Sequence, residues 1–199
     1  MKRNHYLVNN QLWIVDVGAS GGIDPRWSKI TSFYNGILFE PDPREYSQLK
    51  NNHPSNFIVL NTGLSDTKKI VDFNLCKRQE VSSVYIPNFD LLSKFPDHER
   101  FEVVDTIQLP VDTLTNQLKE NNIQEIDFIK VDVQGYELPI LRGGTEYLDN
   151  VIGIEVEVEF LELYKNQPLF NEVNSFLNQN NFELFDIKRY FWKKKQYKN

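Results

Sequence analysis

The 199-residue chain is short of the residues that staple a fold together. Its single cysteine, Cys76, excludes an intramolecular disulfide, and with three histidines beside it a structural zinc site has few ligands to draw on. Basic residues are outnumbered, and the net charge of -6 argues against nucleic acid as the main ligand, because phosphate contacts need a basic surface. No apolar run is long enough to span a bilayer. Residues 1–10 carry basic side chains with no apolar stretch of signal-peptide length behind them. The expected location is the cytoplasm.

What is there is the composition of a packed protein. Hydrophobic residues at 40% and charged residues at 25% are too apolar for disorder and enough for a sizeable core. No internal repeat or linker interrupts the chain, so one domain over residues 1–199 is expected.

Residues 12–17 are apolar and end in the turn Gly18-Ala19-Ser20-Gly21-Gly22. Asp24-Pro25 then reads as a helix start running to Tyr34, with Asn35-Gly36 as its cap. Residues 37–40 and 57–60 read as the second and third strands, with a helix between them started by Asp42-Pro43. This β-α-β-α-β order predicts a parallel sheet with right-handed crossovers. Residues of about 66–110 form an irregular, β-rich insertion with short pieces at 70–75, 83–86 and 103–109. Beyond it come a helix at 113–120, a fourth strand at 126–133, a helix at 136–142, a fifth strand at 151–160, a helix at 169–180 and a sixth strand at 182–187. A seventh strand would start at 190–192. A Rossmann-like α/β fold is expected, with a mostly parallel seven-stranded sheet and helices on both faces.

The glycine loop after the first strand lets the backbone approach a ligand closely. Glu40 closes the second strand, where an acid can accept hydrogen bonds from ribose hydroxyls, or can simply cap Pro41-Asp42. A dinucleotide loop needs Gly-x-Gly-x-x-Gly, and Ser20 stands at its second glycine. Acids at Asp16 and Glu40 suit S-adenosylmethionine, which carries an ammonium, a sulfonium and a ribose.

The fourth strand places Lys130 and Asp132 on one face. A lysine in an inner parallel strand requires a carboxylate partner or a function. Asp132 falls at the carboxyl end, where open α/β sheets bind ligands. Glu137 is either a first-turn acid or a substrate contact. Glu155, Glu157 and Glu159 form one polar face of the fifth strand, either as a solvated edge or as a carboxylate-lined pocket. His98 is the histidine of the insertion that could reach the mouth.

Several stretches together resemble the FkbM family of methyltransferases: Val15-Asp16-Val17-Gly18-Ala19, Phe39-Glu40-Pro41, Leu64-Ser65-Asp66, Val111-Asp112-Thr113-Leu114, the block from Asp127 to Glu137, Ile154-Glu155-Val156-Glu157, and Leu163 through Phe170. The resemblance implies a class I fold and S-adenosylmethionine-dependent O-methylation of a sugar, glycan or other small hydroxylated product. It implies that Asp16, Gly18, Ala19, Ser20 and Gly22 shape the cofactor site and that Glu40 and Pro41 meet the ribose. Leu64 and Ser65 would lie by the adenine, with Asp132 beside the reacting centre. Gln134 stands where the family often has Glu. Candidate bases are Asp132 and Lys130, then Glu137 and Glu157. Lysine would need a depressed pKa for that role. No metal is expected, and the partner is a small-molecule or glycan acceptor. A nicotinamide-dependent oxidoreductase and a non-catalytic nucleoside-binding scaffold are the alternatives. The basic end (Lys188, Arg189, Lys193, Lys194, Lys195 and Lys198) reads either as a solvated tail or as a docking site for an anionic partner.

Overall fold

The computed structural model describes residues 11–22, 27 and 30–189. Their elements run β1 (Leu12–Val17), β2 (Tyr34–Phe39), α1 (Pro43–Leu49), β3 (Phe57–Leu60), β4 (Gly63–Ser65) and β5 (Lys69–Cys76). There follow α2 (Phe89–Leu92), β6 (Val103–Thr113), α3 (Leu114–Glu120), β7 (Phe128–Val131), α4 (Glu137–Gly143), β8 (Gly153–Val156) and α5 (Phe170–Gln179).

Period-two patterning sorts the strand residues onto two faces. Val15, Val17, Ile37, Phe39, Ile129 and Val131 are all buried on one face, under Leu114 and Leu118 of α3, Leu138, Ile140 and Leu141 of α4, and Val173 of α5. Each such side chain contributes roughly 1.5–3 kcal/mol by leaving water. Ile14 and Leu38 face the other way, with Tyr34, Phe57, Leu49 of α1 and Trp27. Helices are held by local signals as well. Asp42 accepts from the Arg44 backbone N–H before Pro43 opens α1, and Thr113 Oγ1 accepts from the Asn116 N–H at 3.1 Å to start α3.

Five parallel strands pair in the order β3-β2-β1-β7-β8, and β4-β6-β5 form a separate mixed sheet. The chain steps outward from β1 to β3, then returns to the opposite side of β1 with β7. The carboxyl ends of β1 and β7 therefore flank the switch point, where loops leave in opposite directions and open a crevice.

The expected seven-stranded sheet is corrected to these five strands plus the three-stranded sheet. Residues 182–187 pair with no strand among the described residues; Phe182 packs against the core, but Leu184 and Phe185 are exposed. The fifth strand is shorter than expected, since the chain leaves the sheet after Val156. Residues 83–86 make one isolated bridge, Ser83 with Asn74. Leu64 and Ser65 belong to β4, which pairs with the end of β6. Asn35-Gly36 is no helix cap. Both lie inside β2, and Gly36 leaves room for the Phe57 ring of β3. The expected helix start at Asp24-Pro25, the strand at 190–192, His5, and Lys193, Lys194, Lys195 and Lys198 lie outside the described residues.

Candidate active site

The turn after β1 is tied to the end of β2. The N–H groups of Gly18 and Ala19 donate to the Phe39 carbonyl at 3.0 and 3.3 Å. Gly18 has φ 78°, and a β-carbon there would run into the Asp132 carbonyl at the end of β7. Only glycine lets the two strand ends approach so closely. Gly21 and Gly22 are also left-handed, at 75° and 85°. The Gly21 N–H donates to Glu45 Oε2 at 3.2 Å. Ala19 is buried and packs in the core under the loop. The buried Ser20 hydroxyl has no hydrogen-bond partner among the described residues, which is costly unless a ligand supplies one.

Glu40 is 4% exposed. One carboxylate oxygen accepts from the Asp42 N–H at 2.9 Å. Burial pushes this carboxyl up to about 7, and the acids Asp42, Glu45 and Asp16 add to the effect. Beside it, Pro41 helps line a small apolar crevice with Val17, Leu64, Val133 and Tyr136. Ser65 is fully buried, and its hydroxyl lies 2.8 Å from the Tyr136 hydroxyl and donates to Asp66 at 2.9 Å.

Asp16 and Lys130 sit opposite each other across β1 and β7, and the ammonium lies 2.9 Å from Asp16 Oδ1. Burial alone would lower the Lys130 pKa, but Asp16, Asp132 and Glu155 outweigh it and raise the pKa. The ammonium is thereby held charged, the opposite of what a lysine base requires.

Beyond β7 the chain turns through two left-handed residues, Gln134 (φ 60°) and Gly135 (φ 97°). Inside this turn lies Glu137, 2% exposed, accepting from the Val133 and Gly135 N–H groups at 3.1 and 3.0 Å. Its carboxyl is pushed up to about 8, by burial first and then by Glu159. Glu137 thus shapes the loop from within. The Gln134 amide nitrogen donates to Asp132 Oδ1 at 3.1 Å and to Glu157 Oε2 at 2.7 Å, bridging the ends of β7 and β8. Burial pushes Glu157 up to about 9, and the adjacent Asp132 carboxylate, then Glu159 and Glu137, reinforce the shift. Glu159 is raised to about 7 by burial, against a hydrogen bond from Gln167 at 2.8 Å.

Gln134, Ser83, Tyr164 and Gln167 drew no role from the sequence. Gln134, Tyr164 and Gln167 lay inside motif blocks, but nothing in their spacing shows the partners that folding supplies. His98 hydrogen-bonds the Phe95 carbonyl within its own turn at 3.1 Å.

A glycine turn, a buried acid and a carboxylate pair thus gather around one switch point of a parallel α/β sheet. The model of the methyltransferase FkbM domain matches residues 16–184, and the chain belongs to the FkbM methyltransferase family. It is 27% identical over 163 residues to the 2-O-methyltransferase NoeI of Sinorhizobium fredii (strain NBRC 101917 / NGR234). That match takes in 77% of this chain and 66% of the relative, so the chain spans just under two thirds of that protein's length. No solved structure matches the chain.

Proposed function

We propose that the chain transfers a methyl group from S-adenosylmethionine to a hydroxyl oxygen of a sugar, glycan or other small hydroxylated acceptor. The observation that carries this reading is the contact of Gly18 with the Asp132 carbonyl. It sets the glycine turn, whose Ser20 hydroxyl has no hydrogen-bond partner among the described residues, directly beside the Asp132–Glu157 pair.

The residues present fit the cofactor. Asp16, Gly18, Ser20 and Gly22 would hold its amino acid end, Glu40 its ribose hydroxyls, and the crevice at Pro41, Leu64 and Tyr136 its purine. When bound, the cofactor supplies a methyl group activated by a sulfonium. The protein's own part is to align the acceptor oxygen and remove its proton. The acceptor's O–H proton would pass to a carboxylate oxygen of the Asp132–Glu157 pair. Lys130 stays an ammonium and balances Asp16 and Asp132, and Glu137 keeps the loop in shape.

Calorimetry with S-adenosylmethionine and with NAD tests the cofactor. A methyl-transfer screen over hydroxylated glycans, lipids and polyketides tests the acceptor. Binding of NAD in place of S-adenosylmethionine would overturn the reading, and binding of neither would make the chain a scaffold.

A further inference from the structure

Gln134 holds a backbone conformation that disfavours any residue with a β-carbon, and it is secured from several sides. Its carbonyl accepts from Ser83 Oγ at 2.7 Å. Its amide nitrogen faces Asp132 and Glu157, and its amide oxygen lies 3.1 Å from the Tyr164 hydroxyl. Tyr164 is fully buried among Cys76, Val81, Leu92 and Phe101. The Val81 carbonyl oxygen is also within 2.9 Å of that hydroxyl.

The direction of a glutamine amide has consequences here, because one end donates and the other only accepts. Turned as it is, the amide offers two N–H groups to two carboxyl groups. Reversed, it would set an acceptor against them and take away the donor that Asp132 has now. The Tyr164 hydroxyl has one proton and two acceptors in reach. When it donates to Gln134 Oε1 it holds the amide in the donating direction.

We propose that Gln134 and Tyr164 are positioning residues for the Asp132–Glu157 pair: Tyr164 orients the Gln134 amide, and the amide keeps the pair ready to take the acceptor's proton. The assignment rests on the methyltransferase reading for its purpose, but its geometry is independent of any cofactor. Charged and titratable groups converge on Glu157 from each neighbouring element. Asp132 comes from the end of β7, Glu159 from the chain beyond β8, Glu137 from α4, and Lys130 faces Asp132 from β7. Removing the amide donors leaves the acids without the bonds that favour ionisation, so Glu157 should ionise at higher pH.

The test is a pH titration of the full chain carrying carboxyl-13C glutamate, read by NMR, with Glu157→Gln identifying the Glu157 signal. Wild type is compared with Tyr164→Phe and Gln134→Met. Tyr164→Phe should move the Glu157 titration upward by at least about half a pH unit, and Gln134→Met should move it further in the same direction. A purely structural hydroxyl, bonded to Val81 alone, predicts a lower Tm in Tyr164→Phe with the Glu157 titration unmoved, and that result overturns the proposal. Should Tyr164→Phe fail to fold, Gln134→Met leaves the Tyr164–Val81 contact in place; an unmoved titration there overturns it equally. The titration is read on ligand-free protein. Wild type that fails to bind S-adenosylmethionine would refute the proposed function and leave this result standing.

Discussion

Gly18 and the carbonyl of Asp132 are so close that a single added β-carbon would overlap the oxygen. The turn that would hold the cofactor and the loop carrying the carboxylate pair are therefore one packed unit. Gly18→Ala meets both this clash and a left-handed φ, and should cost on the order of 2 kcal/mol or more. Gly21→Ala meets only the φ, with open space around it, and should cost about 1–2 kcal/mol. Thermal melts of the two variants rank them; equal losses would show that the Asp132 contact carries no strain.

Glu40 should make cofactor binding pH-dependent. Its carboxyl sits at about 7 in the ligand-free protein, and ribose hydroxyls would favour the ionised form. Affinity for S-adenosylmethionine should therefore weaken as pH falls from 8 to 6. Glu40→Ala should lose one or two charge-assisted hydrogen bonds, of order 1.5–3 kcal/mol each, and flatten the profile. Calorimetry at several pH values reads both, and an affinity indifferent to pH and to the substitution would remove Glu40 from the site.

Stability should peak on the acid side of neutrality. Glu40, Glu137, Glu157 and Glu159 all have carboxyls raised from the ordinary 4.5, to about 7, 8, 9 and 7. Between 4.5 and those values the folded chain keeps protons that the unfolded chain has released, so stability falls as pH rises through that window. Tm should decline from about pH 5 to pH 9, and Glu157→Gln should reduce the decline at its alkaline end. A Tm that rises across this range would contradict the burial of these acids.

Asp132→Asn keeps shape and removes charge, so it should lower turnover by roughly 10²-fold or more while cofactor binding persists. Lys130→Met leaves Asp16 buried without its ammonium, and should mainly cost stability, by ~3–5 kcal/mol. Kinetics and melts on both variants separate the roles. Full turnover in Asp132→Asn would remove it from the chemistry.

The apolar runs of β1 and β7 made the sheet legible, and the shared face of Lys130 and Asp132 followed because successive side chains of a strand point to opposite faces. The partner of Lys130 was not legible, since it depends on which strand lands beside β7, and that proved to be Asp16 on β1. Residues 182–187 left an apolar trace without an edge to join. Gly63–Ser65 left almost none, being three residues long and paired with a strand far along the chain. Glu137 could be read as a first-turn acid or as a substrate contact. Its position inside the turn follows from φ angles at Gln134 and Gly135 that no periodicity records.

The insertion reaches the carboxylate side of the site at two points, Ser83 on the Gln134 carbonyl and the Val81 carbonyl on Tyr164. The glycine turn, by contrast, is tied to β2 and α1. The two halves of the site thus hang from different parts of the chain. Exchanging the connection at 79–88 would therefore disturb the contacts of Gln134 and Tyr164 while leaving those of the glycine turn with Phe39 and Glu45 in place, so that the two sides can vary separately.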